Sequence, residues 1–391
     1  MEMHITVPRL VAGLALAAAV TLAAPASPAA AAKVPSGLKF YVPPKSLKGK
    51  HGDLIRVRKL TGKDAFEGAA KSYLLLYRST SIAGKPIAVS GTLALPKGKA
   101  PKGGWPVVSW SHGTSGAADI CAPSHNPTAY AVPQFEDWLA AGYAVAATDF
   151  EGLGTPGPHP YLIGKSEGRG AIDIVTAAGQ VDPGVGRRWV SSGISQGGHA
   201  ALWAAAEGPK WAPKLKLAGA DIYAPGSHIH EEIELTKGLK TASPLSVIGA
   251  LLTGGALAAS PSTIKADEML TPAALALLPD IEKRCNAGLA ETDSWGGIGP
   301  GSIIRDDYDR TALYKLLDAN DPRVLKLTVP TLMHQGTSDV VVFPFFTDEV
   351  VAKLKANGAS IDYRKYQGAD HNSVVAAGRA DSKAWITQIL K

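Results

Sequence analysis

A serine set between glycines, where an apolar run meets a helix-forming run, constrains this chain more than any other feature. Trp189 and Val190 lead into Gly193-Ile194-Ser195-Gln196-Gly197-Gly198, and His199 to Ala206 continue with helical character. Strand, sharp turn and helix in that order lift one side chain clear of a sheet, and glycines two before and two after it leave room for crowded backbones. The pattern alone is weak: a chain of this composition, with 42 Gly, meets G-x-S-x-G by chance roughly 0.3 times. Gly164-Lys165-Ser166-Glu167-Gly168 is such a match. It follows Pro158 and Pro160 with no buried strand before it, so Ser166 reads as a residue at a helix start. Ser195 is the candidate nucleophile.

The rest of the chain supplies a matching frame. Tyr73 to Arg78 and Ile87 to Ala94 read as a hairpin at a sheet edge. Short apolar strands then alternate with helices: Val107 to Ser111, Gln134 to Ala141, Tyr143 to Thr148, Glu167 to Ala178, Trp189 to Ile194, His199 to Ala206 and Leu217 to Tyr223. That alternation predicts an α/β fold with a mostly parallel central sheet flanked by helices. From Pro225 to about Leu325 the sequence turns helix-forming and Gly/Pro-punctuated, which reads as an inserted helical cap. Strand Thr331 to Gln335, helix Phe346 to Ala356, strand Ile361 to Tyr366 and a closing helix from Asp381 complete the core. The expected organisation is a leader over 1–32, core over 33–225, cap over 226–326 and core again over 327–391.

The leader is read from Arg9, the apolar run Leu10 to Leu22 and the stretch ending Ala30-Ala31-Ala32, the pattern of a secretory signal peptide cleaved near Ala32. The apolar run is shorter than the about 20 residues a membrane span needs, and so is the uncharged stretch Leu245 to Ala259, which reads as a lid or buried cap helix. Export would take Cys121 and Cys285 to an oxidising compartment, where they form a disulfide or stay as two buried thiols. A disulfide there would stabilise by up to about 5 kcal/mol in the chain-entropy view. The net charge of +6 is spread along the chain, which suits solubility and gives no nucleic-acid-binding patch.

A serine nucleophile needs a base, and histidine is the usual one near neutral pH. His371, in Gly368-Ala369-Asp370-His371-Asn372, sits on the loop after the last expected strand. Asp339 follows the preceding strand and would orient the imidazole and stabilise its charged form. Asp370 would reach the neighbouring ring poorly, and Asp221 falls inside a strand. The chain order Ser195, Asp339, His371 is that of α/β-hydrolases. An oxyanion would be met by the backbone N–H of Gln196 at the helix start and by that of Thr114 in Ser111-His112-Gly113-Thr114, with Gly113 as the second choice. His112 then shapes the loop and is not the base. Two further patterns are set aside. Gly152-Leu153-Gly154-Thr155-Pro156-Gly157 resembles a dinucleotide loop, yet Pro156, Pro158 and Pro160 oppose the helix it requires. His228-Ile229-His230-Glu231-Glu232 resembles a metal cluster without a partner motif and reads as a polar cap segment near the mouth of the site. No cofactor and no metal are expected.

Several stretches taken together resemble one family. Ser109 to Thr114, Cys121-Ala122-Pro123-Ser124 and Thr148 to Gly157 stand beside the Ser195 turn and the Asp339 and His371 loops. From about Tyr73 to the C-terminus the chain is similar to the secretory lipases, a group of α/β-hydrolases. The resemblance implies a secreted serine esterase with a helical cap over an acyl pocket, no cofactor, and a Cys121–Cys285 disulfide joining the post-strand loop to the cap. One departure is Gln196, where fungal members often carry Gly; a side chain there narrows the entrance without removing the backbone donor.

The expected activity is carboxylic-ester hydrolysis through an acyl-enzyme on Ser195, with lipid or other esters as substrates. The alternatives are a short-chain esterase or a serine peptidase with the same triad, and a silent binding module on the same scaffold. The cap residues Leu245, Ile248, Leu251 and Leu252 offer an acyl surface and a transient lipid-interface contact. No nucleic acid and no protein partner are implied.

Overall fold

Runs such as Val107-Val108 and Val145-Ala146 bury both faces of a strand, which suits a parallel sheet covered by helices on either side. The computed structural model describes residues 1–4, 34–243 and 245–391; the expected leader falls, from residue 5 onward, outside them. Among the described residues one nine-stranded sheet is formed by β1 (Leu54–Leu60), β2 (Lys71–Thr80), β3 (Pro86–Leu95), β4 (Trp105–Ser111), β5 (Ala144–Thr148), β6 (Val185–Ile194), β7 (Lys216–Tyr223), β8 (Thr331–Gly336) and β9 (Ile361–Tyr366). The spatial order is β1-β2-β3-β5-β4-β6-β7-β8-β9. The first three strands pair antiparallel, as do β3 and β5, and every pair from β5 to β9 is parallel.

Two helix layers cover this sheet. On one face Ile172 and Ile174 of α2 (Gly164–Val181) and Ala201 and Leu202 of α3 (Gln196–Trp211) pack over alternate strand residues such as Leu75, Trp189 and Ile222. On the other face α1 (Gln134–Ala140) brings Phe135 and Trp138 against Trp110, joined by Ile386 from α12 (Arg379–Ile389). Helix α10 (Pro344–Ala356) joins the first layer through Val350 and Leu354, and the short α11 (Ser373–Ala377) lies near the carboxyl ends of the strands with Val374 and Val375 buried.

The hairpin expected at the edge is β2–β3, but it is not the edge. Strand β1 covers it, pairing along β2. Its sequence, Leu54-Ile55-Arg56-Val57-Arg58-Lys59-Leu60, alternates apolar and basic residues, as suits an edge that must not invite another chain. Arg56 also donates to the carbonyls of Phe40 and Val42, at 2.9 and 2.8 Å, and so holds the N-terminal arm.

Among the described residues between β7 and β8 the chain forms no strand, only helices, irregular segments and isolated bridges such as Leu270–Ile304. This insertion contains α4 (Ile229–Thr236), α5 (Leu245–Ala259), the short α6 (Ala266–Met269), α7 (Pro272–Leu277) and α8 (Asn286–Leu289), and α9 (Thr311–Asn320). It has its own apolar core around Leu251, Met269, Trp295 and Leu313, which extends to Tyr161 and Leu162 in the segment before α2. Among the described residues no helix is long and apolar enough to cross a membrane.

Candidate active site

Ser195 stands between β6 and α3 with φ of 59° and ψ of −120°, a region that residues bearing a Cβ rarely enter. Three backbone bonds hold it there. Its N–H donates to Tyr223 at 3.0 Å, and its carbonyl accepts from His199 at 2.9 Å and Gly226 at 3.0 Å. The flanking glycines are required by space. A Cβ on Gly193 would collide with the carbonyl of Gly197, and one on Gly197 with the carbonyl of Ser111. The Ser195 side chain is partly exposed and lines a cavity.

The loop after β8 carries Asp339 and the loop after β9 carries His371. His371 Nδ1 donates to Asp339 Oδ2 at 2.8 Å. The carboxylate is fully buried and also accepts from Val341 N and Val342 N, both at 2.9 Å, and from Gln335 Nε2 at 3.2 Å. Such a carboxylate is fixed in place before it orients the ring. One apolar cluster contains Ile194, Val342, Val374 and Val375, so the turn before Ser195, the Asp339 loop and the helix after His371 share a floor. Among the described residues Ser195 Oγ and His371 Nε2 make no hydrogen bond, to each other or to any other group. The structure therefore joins the Asp339–His371 pair and shows no bond between Ser195 and His371.

The loop after β4 comes close to the Ser195 turn: a Cβ on Gly113 would lie 3.9 Å from Ser195 Cβ. Gln196 is the first residue of α3, so its N–H has no intrahelical acceptor and points out at the positive end of the helix. Thr114 Oγ1 lies 2.7 Å from the Tyr161 hydroxyl, and its carbonyl accepts from Asn286 Nδ2 at 2.6 Å. Next to it Cys121 and Cys285 form a disulfide that bridges a sequence separation of 164, and Asn286 N donates to Ser115 at 3.1 Å. The post-β4 loop is thus anchored to the insertion both covalently and by hydrogen bonds. His112 is buried with Nδ1 2.6 Å from the Gly113 carbonyl, and burial pushes its pKa down to about 4. A ring kept neutral in this way fits a loop-shaping role.

The side chain of Gln196 corrects the expectation of a narrowed entrance. It is buried, and its Nε2 donates to Glu167 Oε1 and to His159 Nε2, both at 2.8 Å. Glu167 also accepts from Leu162 N at 3.0 Å and from His199 Nδ1 at 2.9 Å. This carboxylate beneath the Ser195 turn was missed in the sequence. It lies inside the rejected pattern Gly164 to Gly168, whose glycines have a different purpose: a Cβ at 164 would strike the Trp203 ring, and one at 168 would stand 2.9 Å from Ala204 N. They let α2 and α3 pack closely enough for Glu167 to reach Gln196. Ser166 donates to Glu151 Oε2 at 2.5 Å, within α2.

The other singled-out residues disperse. Gly152, Gly154 and Gly157 have positive φ in a run of turns, and no helix opens until Gly164. His228 Nε2 pairs with Glu349 at 3.1 Å and His230 Nδ1 with Asp318 at 3.0 Å, while Glu232 faces the Ser195 cavity. Asp370 accepts from Ser373 N at 2.8 Å and so caps α11. Asp221 pairs with His334, at 2.8 Å, inside the sheet.

The cavity encloses about 1210 Å³, open solvent at its mouth included, and is lined mainly by apolar side chains of the insertion, among them Ile229, Ile248, Leu252, Met269 and Leu313. Its size is ample for a small-molecule ligand. Sheet order, the strand-to-helix turn at Ser195 and the positions of the Asp339 and His371 loops make the fold that of an α/β-hydrolase. The structure of Candida antarctica lipase A in its closed state superposes with a TM-score of 0.73 over 91% of this chain and 84% of that one, at 21% identity. The rice cell wall degrading esterase LipA from Xanthomonas oryzae superposes with a TM-score of 0.71 over 87% and 98%, at 18% identity. Within this class the matching family is the secretory lipases, whose model covers residues 129–291. That segment includes Ser195, Gln196 and Cys285. In sequence the chain is 29% identical to Lipase 6 of Candida albicans over 211 residues, 49% of this chain and 44% of that protein. It is likewise 29% identical to a probable inactive lipase of Mycobacterium tuberculosis over 238 residues, 56% and 52%. The chain spans about half the length of the curated relatives it matches.

Proposed function

We propose that the chain is a secreted carboxylic-ester hydrolase of the lipase/esterase type, working through Ser195, His371 and Asp339. The observation that carries this reading is a serine held at φ 59° on a strand-to-helix turn, opening into a large apolar cavity. Ser195 Oγ attacks the ester carbonyl carbon while His371 Nε2 takes its proton, and Asp339 stabilises the resulting imidazolium. The N–H groups of Gln196 and Thr114 meet the oxyanion. Collapse breaks the bond to the alkoxy oxygen, which leaves as the alcohol with the proton from His371. Water then attacks the acyl-enzyme, His371 takes a proton from it, and the acid departs as Ser195 regains its hydrogen.

The insertion serves as a cap over an acyl pocket. Leu235 and Val341, both exposed, stand in the cavity wall, and Val340 and Phe345 are exposed near them in sequence, so the mouth has an apolar rim suited to a lipid interface. The leader over 1–32 directs export, where the Cys121–Cys285 bond is stable.

The test is hydrolysis of p-nitrophenyl esters from acetyl to palmitoyl by the purified chain and by Ser195→Ala. Turnover that vanishes in the variant is expected, with the optimum separating lipase from short-chain esterase. Turnover unchanged by Ser195→Ala refutes the mechanism, and amide hydrolysis exceeding that of matched esters would make the protein a peptidase.

A further inference from the structure

Among the described residues, one polar side chain in the cavity wall other than Ser195 has no partner. Tyr161 is engaged with Thr114, Gln196 with Glu167, Lys237 with Glu234, Arg310 through its Nη groups with carbonyls of residues 305–308, and Thr236 and Thr253 with carbonyls of their own helices. Glu232 lies on the inner side of α4 between Ile229 and Ile233, which line the cavity with it, and among the described residues its carboxyl makes no hydrogen bond or ion pair. A carboxyl in apolar surroundings is costly unless something bonds to it.

The groups around it leave it neutral. Burial, with help from Glu231, pushes the Glu232 pKa up to about 8. Glu231 itself turns to Arg323 at 2.6 Å, and Lys237 and Arg310 are engaged elsewhere, so no cation offsets the burial. Glu232 lines the same cavity as Ser195 and as Tyr161, which comes from the segment before α2. A neutral carboxylic acid both donates and accepts. An alkyl chain filling the cavity would displace water from it and give nothing in return, whereas a hydroxyl on the chain would satisfy both capacities.

We propose that Glu232 makes this cavity select esters whose acyl chain carries a hydroxyl group over plain alkanoyl esters of equal length. The proposal rests on the reading of Ser195 as the nucleophile and of the cavity as the acyl site. It is tested with p-nitrophenyl octanoate and its positional hydroxy isomers, comparing kcat/KM for the native chain, Glu232→Leu, Glu232→Met and Glu232→Gln, each checked for folding by circular dichroism. The native chain is expected to favour the best hydroxy isomer about tenfold, the order expected when a buried polar group would otherwise go unpaired. Glu232→Gln keeps a donor and an acceptor and retains the preference, while whichever of the Leu and Met variants folds loses or inverts it. A native chain with no preference, or a preference unchanged in the Leu or Met variant, overturns the proposal while Ser195-dependent hydrolysis still stands. Hydrolysis that survives Ser195→Ala overturns both readings together.

Discussion

Two histidine–carboxylate pairs with the same 2.8 Å contact lie in this fold, and they differ in what their rings can do. In the His371–Asp339 pair the imidazole is 15% exposed, and only Nδ1 is bonded. In the His334–Asp221 pair both side chains are fully buried. There Nε2 meets Asp221, Nδ1 meets the Tyr366 hydroxyl at 2.7 Å, and the ring stacks on Tyr223 at 4.2 Å. Asp221 further accepts from Ser382 Oγ at 2.7 Å and Ser192 Oγ at 3.2 Å. A base must keep one nitrogen for the proton it moves, so of these two pairs the first meets that need, while the second joins β7, β8, β9 and α12. A hydrogen bond between a carboxylate and a histidine does not identify a catalytic pair, and a second nitrogen left free is necessary without being sufficient, since His230 keeps one beside its bond to Asp318.

Substitutions can break that contrast. His371→Ala should lower kcat/KM on a short p-nitrophenyl ester by about a millionfold, the scale of losing the base in a serine hydrolase, with little change in the thermal transition. Asp339→Asn should cost about ten-thousandfold, because its amide favours the wrong tautomer of the ring. Steady-state kinetics on both variants checks the order, and a loss below tenfold in either would merge the two pairs into one structural class. His334→Ala should act the other way round. Leaving Asp221 buried without its cationic-capable partner should destabilise by about 3 to 5 kcal/mol in denaturant titration, while activity per folded molecule stays within a few fold.

A third buried carboxylate sharpens the comparison because it has no histidine. Asp149 accepts from Ser90 Oγ at 2.7 Å and Ser124 N at 2.9 Å, and burial pushes its pKa up to about 6 despite these donors. The folded state therefore holds this proton where the unfolded chain has released it, so the Asp149 contribution to stability falls as pH rises from about 4 to 6 and stays low above that. Asp149→Asn should remove that slope and gain about 1 to 3 kcal/mol at pH 8 relative to pH 4. Urea titrations at the two pH values measure it, and equal shifts at both would show that the Asp149 carboxyl ionises in the folded state as it does in the unfolded chain.

The sequence made some of this legible and hid the rest for identifiable reasons. The Ser195 turn was readable because its glycines answer to sterics within five residues. Asp339 and His371 were readable as loop positions following expected strands, since strand order decides which loops end on the same side of a sheet. Strand β1 was passed over although its alternation was visible, because edge strands with Arg and Lys resemble solvated loops. Glu167 was hidden by the pattern around it: nothing local says that Gly164 and Gly168 exist to bring α2 against α3. Glu232 was seen only as part of a polar run, and its isolation comes from what lies opposite.

What the sequence by itself determined is therefore the local geometry: a strained serine turn, the alternation that builds a parallel sheet, and a long helical insertion before the final strands. Only the tertiary structure decided which histidine nitrogens are bonded, which carboxylate supports the Ser195 turn and which is left alone in the cavity. The reason is physical. Backbone sterics and hydrophobic period act over a few residues and leave a trace in the chain, whereas the partners of a buried charge come from other elements, 29 residues away for Glu167 and Gln196 and 113 for Asp221 and His334, and exist only once the layers have packed.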